Sequence, residues 1–176
     1  MSGARVIVYS SLFPSAATPA AGTFIRERMF RVARRLPLVV VAPQAWSPVD
    51  WAIRRFRPDF RLPAAEHELM DGVEVYRPRF FSLPGVLKRL DGWLMARSTF
   101  FAVRRIARSM DAHLIDAHFG YPDGFAATWI GRRLGLAVTI TLRGSKDQRL
   151  IGTGREAGLR KALSGAKVIA VLEKDV

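Results

Sequence analysis

Short, unbroken apolar runs alternate along this chain with stretches of helical period, and that alternation constrains its fold more than any other feature. "RVIVYS" (Arg5 to Ser10) and "LVVVAP" (Leu38 to Pro43) are β-branched runs that read as strands. Between them, Ile25, Met29, Val32, Ala33 and Leu36 recur at helical spacing, with Arg26, Glu27, Arg28, Arg31, Arg34 and Arg35 opposite. Gly22 precedes this helix, and Thr23 is its expected N-cap. "GVEVYRP" (Gly72 to Pro78), "HLIDAH" (His113 to His118), "LAVTITLRG" (Leu136 to Gly144) and "KVIAVL" (Lys167 to Leu172) read as further strands. Helices are expected from about Val86 to Met110, from near Pro122, and over "REAGLRKALSGA". In the first of these, Leu87, Leu90, Leu94 and Phe101 are expected to face the core. Strands that are apolar throughout are those covered on both sides. The expected fold is therefore α/β: a doubly wound, mostly parallel Rossmann-like sheet with helices on both faces.

One connection departs from the pattern. Gln44 to Asp71 is too long for an ordinary connector and lacks clear periodicity, so it is expected to be a functional or mobile loop. It mixes Trp46, Trp51, Phe56 and Phe60 with Arg54, Arg55, Arg57 and Arg61. Such interleaving suits an interfacial segment, with rings at headgroup depth and guanidinium groups on phosphates. The competing reading packs the rings onto the domain edge. Charge bears on the choice: Lys and Arg number 28 against 15 acidic residues, a net +13. That surface attracts phosphates on nucleic acid, anionic lipid or a nucleotide, or is simply solvated. Without cysteine there are no disulfides or thiolate metal sites, and no apolar run approaches the roughly 18 residues that span a bilayer. "MSGARVIVYS" runs straight into a strand instead of resembling a signal peptide. The expectation is a cytoplasmic protein, with an anionic inner-membrane face as a candidate partner.

In open α/β sheets, ligands bind beyond the carboxyl ends of the strands, where strand order reverses. Three segments should meet there. "SLFPSAATPAAGTF" ends in Gly22 and Thr23 at a helix N-terminus, where free N–H groups favour anions. "HFGYPDG" carries His118, which can donate to or accept from a sugar hydroxyl or phosphate. "LRGSKD" offers Arg143 and Lys146 around Gly144 and Ser145, a loop suited to anions. Asp116 and Asp123 flank His118, but spacing alone pairs it with neither. The three histidines, His67, His113 and His118, lack metal-ligand spacing, and neither a G-x-G-x-x-G nor a Walker A pattern is present. No metal and no cofactor is expected.

These stretches resemble the N-terminal domain of family 4 glycosyltransferases, retaining GT-B enzymes that take a sugar from a nucleotide-sugar donor. The resemblance rests on "YSSLFPS…AAGTFIRERMFRVARRLPLVVVAP", "IDAHFGYPDGFAATWIGRRLGLAVTITLRGSKD" and "LRKALSGAKVIAVLEKDV", which cover most of the chain in the family's order. It implies that residues 1–176 form the acceptor-side domain of a two-domain enzyme whose donor-binding domain lies outside this sequence, and that the chain alone is inactive. His118 matches the family's active-site histidine near the transferred sugar. Gly22 and Thr23 match the loop facing the donor phosphates and acceptor. Tyr121, Asp123, Gly124, Arg143, Gly144, Ser145 and Lys146 are expected to bind substrate, and Trp46, Trp51, Arg54, Arg55, Arg57 and Arg61 to form a membrane or acceptor loop. Relatives often read H-G-x-D where this chain has R-G-S-K-D, so that histidine and aspartate have no counterparts to inherit their roles. The implied partners are a nucleotide-sugar donor and a glycan or lipid-linked acceptor of bacterial polysaccharide or glycolipid synthesis. Two other readings compete. A non-catalytic basic module for anionic lipid or nucleic acid would use the charge, but no nucleic-acid-binding signature is present, and nucleic acid is not expected. A nucleotide-dependent oxidoreductase would need the missing glycine fingerprint.

Overall fold

The computed structural model describes residues 3–172, apart from the side chains of Ser145 and Lys146; Glu173 to Val176, the end of the third motif, lie outside it. The elements run β1 (Val6–Tyr9), α1 (Thr23–Ala33), β2 (Leu38–Val41), β3 (Gln44–Trp46), α2 (Asp50–Arg54), β4 (His67–Met70), β5 (Val73–Tyr76) and β6 (Arg79–Phe81). Then follow α3 (Asp91–Ser109), β7 (Leu114–His118), α4 (Phe125–Leu134), β8 (Ala137–Arg143), α5 (Gly144–Gln148), α6 (Glu156–Gly165) and β9 (Val168–Leu172).

Seven strands form one sheet in the order β4-β5-β2-β1-β7-β8-β9, parallel except for β4, which pairs antiparallel with β5. The chain winds outward from β1 through β2 and β5, then returns to the other side of β1 with β7. Strand order therefore reverses between β1 and β7. Their register sets Tyr9 against Ala117, and His118 against Thr141 of β8, so at the carboxyl edge β7 runs one residue past β1 and β8 two residues past β7.

Helix α1 covers one face, where Ile25 and Met29 pack on Val6, Val8, Val40 and Val75. Helices α3, α4 and α6 cover the other, with Met95, Val103, Ile106, Ile130 and Ala162 over Ile7, Ile115 and Ala117. Each such fully buried aliphatic side chain contributes on the order of 1.5–3 kcal/mol. Small residues let α4 lie close: a Cβ on Gly131 would come 2.4 Å from Val138 Cγ2. Among the described residues, no helix is long and apolar enough to cross a membrane.

Several local expectations need correction. Thr23 is the first helical residue rather than the N-cap; Gly22 caps α1 in the left-handed conformation, without a side-chain bond. The long helix begins at Asp91 rather than Val86, and Leu87, Leu90 and Phe101 are exposed. Its buried stripe is Gly92, Met95, Ala96, Thr99, Val103 and Ile106, because small and β-branched side chains allow closer approach to the sheet than large ones. Segment 44–71 is no plain loop. It supplies β3, which pairs with β6 in a separate two-stranded sheet, the short helix α2, and the edge strand β4. Each is too short for a helical or strand period to show. Helix α4 starts at Phe125, after a wide turn over Gly120–Gly124, and "GSKDQ" is a helical turn where a loop was expected.

Candidate functional site

Residue Gly22 closes the loop after β1. Its φ is +68°, and a Cβ there would lie 2.3 Å from the Leu12 carbonyl oxygen, so both conformation and space demand glycine. The glycine thus serves the loop's own backbone. Thr23 is exposed at the first turn of α1.

Two buried carboxylates staple the surrounding loops. Asp123 accepts from the backbone N–H of Ser11 and, at 3.0 Å, from its hydroxyl, which fastens the turn after β7 to the loop after β1. Asp147 accepts from the N–H groups of Gly120 and Arg143, both at 2.8 Å, tying the ends of β7 and β8 together. Tyr121 is also turned inward: its hydroxyl accepts from Gly92 N–H at 3.0 Å and donates to the Arg89 carbonyl at 2.6 Å. Gly124 is buried where a Cβ would meet the Phe119 carbonyl at 2.9 Å. Gly124 therefore shapes the site from beneath, while Tyr121 and Asp123, besides these bonds, line a small cavity at the same edge.

His118 lies at the end of β7, on the face covered by α1. It is completely buried, and neither ring nitrogen has a hydrogen-bond partner. Alternation along β7 puts Asp116 on the same side, its Oδ2 3.7 Å from His118 Nε2, while Thr139 donates to Asp116 Oδ1 at 2.7 Å. Of the two flanking aspartates, it is Asp116 that accompanies the histidine. Burial, then the positive charges of Arg143 and Arg28, pushes the imidazole down to about 3, so it is neutral at neutral pH. Burial raises Asp116, against the opposing pull of Thr139, Arg28 and Arg143.

The Arg143 guanidinium stacks over the Phe24 ring at 4.1 Å, and its Nε is buried without a partner. The start of α1 and the ends of β7 and β8 are thereby brought together, as the sequence implied. Gly144, with φ +30°, opens α5 beside them. The side chains of Ser145 and Lys146 lie outside the described residues. Phe24 and Arg28 escaped sequence reasoning because both border the apolar stripe of α1, although their i, i+4 spacing is a usable signal.

Two cavities open at this edge. One of about 210 Å³ lies between Ser11, Phe119, Pro122, Asp147 and Arg155. A larger one of about 450 Å³ extends past Trp46, Arg54, Arg61, Arg79 and Lys88. Ser11 and Pro122 border both. The 44–61 segment thus divides: Trp46, Arg54 and Arg61 line the larger cavity, whereas Trp51, Arg55 and Arg57 face outward. Buried Arg77 forms the cavity's wall, donating to the Pro14 carbonyl at 2.7 Å and pairing with Glu68.

No family model matches the chain. A Bacillus subtilis (strain 168) protein named "Putative teichuronic acid biosynthesis glycosyltransferase TuaC" is 29% identical over 147 residues, covering 80% of this chain and 36% of the relative. The chain thus spans about a third of that relative's length. Among solved structures, UDP-GlcNAc 2-epimerase from Methanocaldococcus jannaschii aligns with a TM-score of 0.52 over 97% of this chain and 39% of its own, at 8% identity. Arabidopsis thaliana UGT89C1, complexed with UDP, aligns with a TM-score of 0.52 over 96% and 44%, at 10% identity. These two share the fold; the bacterial relative adds likeness in sequence. The motif resemblance is thereby borne out: the chain is glycosyltransferase-like in sequence and folds as one Rossmann-like half of the GT-B architecture.

Proposed function

We propose that this chain is the acceptor-side half of a glycosyltransferase that moves a sugar from a nucleotide-sugar donor to a glycan or lipid-linked acceptor in polysaccharide or glycolipid synthesis. The observation that carries this reading is the 147-residue similarity to a protein named as a teichuronic acid biosynthesis glycosyltransferase. The geometry is compatible with it. A neutral imidazole retains one donor and one acceptor, and a sugar hydroxyl would satisfy the nitrogens that the fold leaves unbonded. His118 is closed to solvent, so that contact requires a neighbouring side chain to move aside. Arg143 and the first turn of α1 supply positive potential for the donor's phosphates. The larger cavity suits the acceptor, with the Trp46 ring as a face for a pyranose and Arg54, Arg79 and Lys88 for acidic groups.

The test uses this domain joined to a donor-binding domain and assays transfer of labelled sugar from a panel of nucleotide sugars. His118→Ala is expected to lower turnover by about a hundredfold or more with the fold retained, the usual size for losing one positioned hydrogen-bonding group. Undiminished turnover in a folded His118→Ala protein would remove the histidine from the mechanism. Absence of transfer to any glycan or lipid-linked acceptor by the unsubstituted protein would remove the function.

A further inference from the structure

We propose that the rim of the larger cavity is a docking edge for an anionic lipid bilayer. Large apolar side chains stand exposed on the two segments that supply much of the cavity's lining. Trp51 and Phe56, 70% and 88% exposed, are close in sequence to the lining residues Asp50 and Arg54, and Leu87 and Trp93, 52% and 47% exposed, to the lining residues Lys88 and Asp91. Trp46 and Phe81 link the two segments where β3 pairs with β6, their rings edge to face at 6.2 Å.

This exposure is built in. Ser82, itself buried, ties the segments together. Its N–H donates to the Trp46 carbonyl at 3.0 Å, its hydroxyl accepts from Lys88 at 2.7 Å, and its carbonyl accepts from Arg61 at 2.6 Å. The two segments that carry these side chains are therefore fixed to one another by a bonded frame. A rimmed apolar collar of this kind marks an interaction surface.

Charge selects the occupant. Residues 44–61 and 79–97 contain seven arginines and one lysine against three aspartates. Two of the three aspartates are already engaged: Asp50 by Ser47 and Arg61, and Asp91 by Lys88 and Ser82. Arg55, Arg57, Arg89 and Arg97 are exposed and, among the described residues, none of them forms an ion pair. Arg97 sits 5.2 Å above the Trp93 ring, an amphipathic pair suited to headgroup depth. Separate tips of tryptophan mixed with unpaired arginine fit a deformable anionic interface better than a shaped protein groove. Docking of this edge presents the cavity mouth to the headgroup plane, and it does not depend on glycosyl transfer.

The experiment is co-sedimentation of the 176-residue chain with vesicles rich in phosphatidylglycerol or made of phosphatidylcholine alone. One variant carries Trp51→Ser, Phe56→Ser, Leu87→Ser and Trp93→Ser. A second carries Arg55→Gln, Arg57→Gln, Arg89→Gln and Arg97→Gln. A third, matched in charge, carries Arg31→Gln, Arg34→Gln, Arg35→Gln and Arg108→Gln, exposed positions at the opposite edge of the sheet. Binding to the anionic vesicles is expected, with little to the neutral ones and a blue shift of tryptophan emission. The two rim variants should lose about tenfold or more in partition, and the third about twofold or less. Unchanged circular dichroism and melting of each variant separate lost docking from lost folding. No binding to anionic vesicles, or equal losses from the second and third variants, overturns the proposal. So does vesicle-free self-association that the first variant abolishes, which would make the rim a contact between copies.

Discussion

His118 ends a buried strand with both ring nitrogens unbonded, beside Asp116 and within reach of two guanidinium charges. Its proton affinity then has a consequence for stability. An unfolded histidine titrates near ~6.5, whereas the folded group is pushed down to about 3. Between those values the unfolded chain takes the proton and the folded chain does not. The stability this group contributes is complete above the unfolded value and is lost as pH falls toward the folded one. The slope is at most about 1.4 kcal/mol per pH unit. Asp116, raised by burial, works the other way, but it does so in wild type and variant alike. Urea unfolding of wild type and His118→Gln across mildly acidic pH should therefore show the wild-type advantage shrinking on acidification. Parallel curves would mean that the folded histidine titrates normally. The sequence announced this residue through its place at a strand mouth. It could not announce the burial, which depends on α1 crossing above it, nor that Asp116 rather than Asp123 stands alongside. That last distinction follows from strand alternation at 116 and 118 once the strand's end is known, whereas Asp123 lies in the turn and bonds Ser11.

Elements were legible where their period was long enough to register. Helix α1 and the central strands appear close to where their apolar patterns put them, because burial against a fixed neighbour is what creates such patterns. The phase of α3 was misread. Leucine and phenylalanine look like core residues, yet the stripe that meets the sheet is alanine, glycine, threonine and valine as much as methionine and isoleucine. The elements of segment 44–71 span only 3 to 5 residues each, below any period. Junctions, in contrast, can be tested one glycine at a time. Gly22 and Gly72 both have positive φ, +68° and +82°, but only Gly22 faces an obstruction, the Leu12 carbonyl at 2.3 Å; at Gly72 nothing lies within 4 Å. Gly72→Ala, in the turn between β4 and β5, is expected to cost about 1 kcal/mol, the left-handed penalty alone. Gly22→Ala adds a backbone clash that only movement of the β1–α1 loop can relieve, and about 3 kcal/mol is expected. Chemical denaturation of the two variants checks the difference. Equal losses would show that the loop yields freely, and that the site's first wall is soft.

At the scale of the whole molecule, the reversal of strand order at β1 determines where ligands can go, and alternation of strands and helices was enough to anticipate it. The carboxyl ends of β1, β7 and β8, with stapled loops above them, form one wall along the sheet's edge. The size of the openings limits what that wall can hold alone. The cavity nearest the crevice is about 210 Å³, below the roughly 300–1,000 Å³ of sites that enclose drug-sized ligands. A nucleotide sugar, with its base, ribose, diphosphate and hexose, would leave most of its surface in water there. Its phosphates would meet Arg143, whose guanidinium is already stacked on Phe24, and the first turn of α1, without enclosing donors opposite. Electrostatic support is strong only where water is excluded, so such a contact contributes little. The 176-residue chain alone is therefore expected to bind nucleotide sugars with a dissociation constant on the order of a millimolar or weaker, corresponding to about 4 kcal/mol. It should also show no transfer to glycan acceptors. Calorimetric titration with a panel of nucleotide sugars checks this directly. Micromolar affinity for any one of them would mean that this wall carries a complete donor site, and the proposed acceptor-side role would have to be given up.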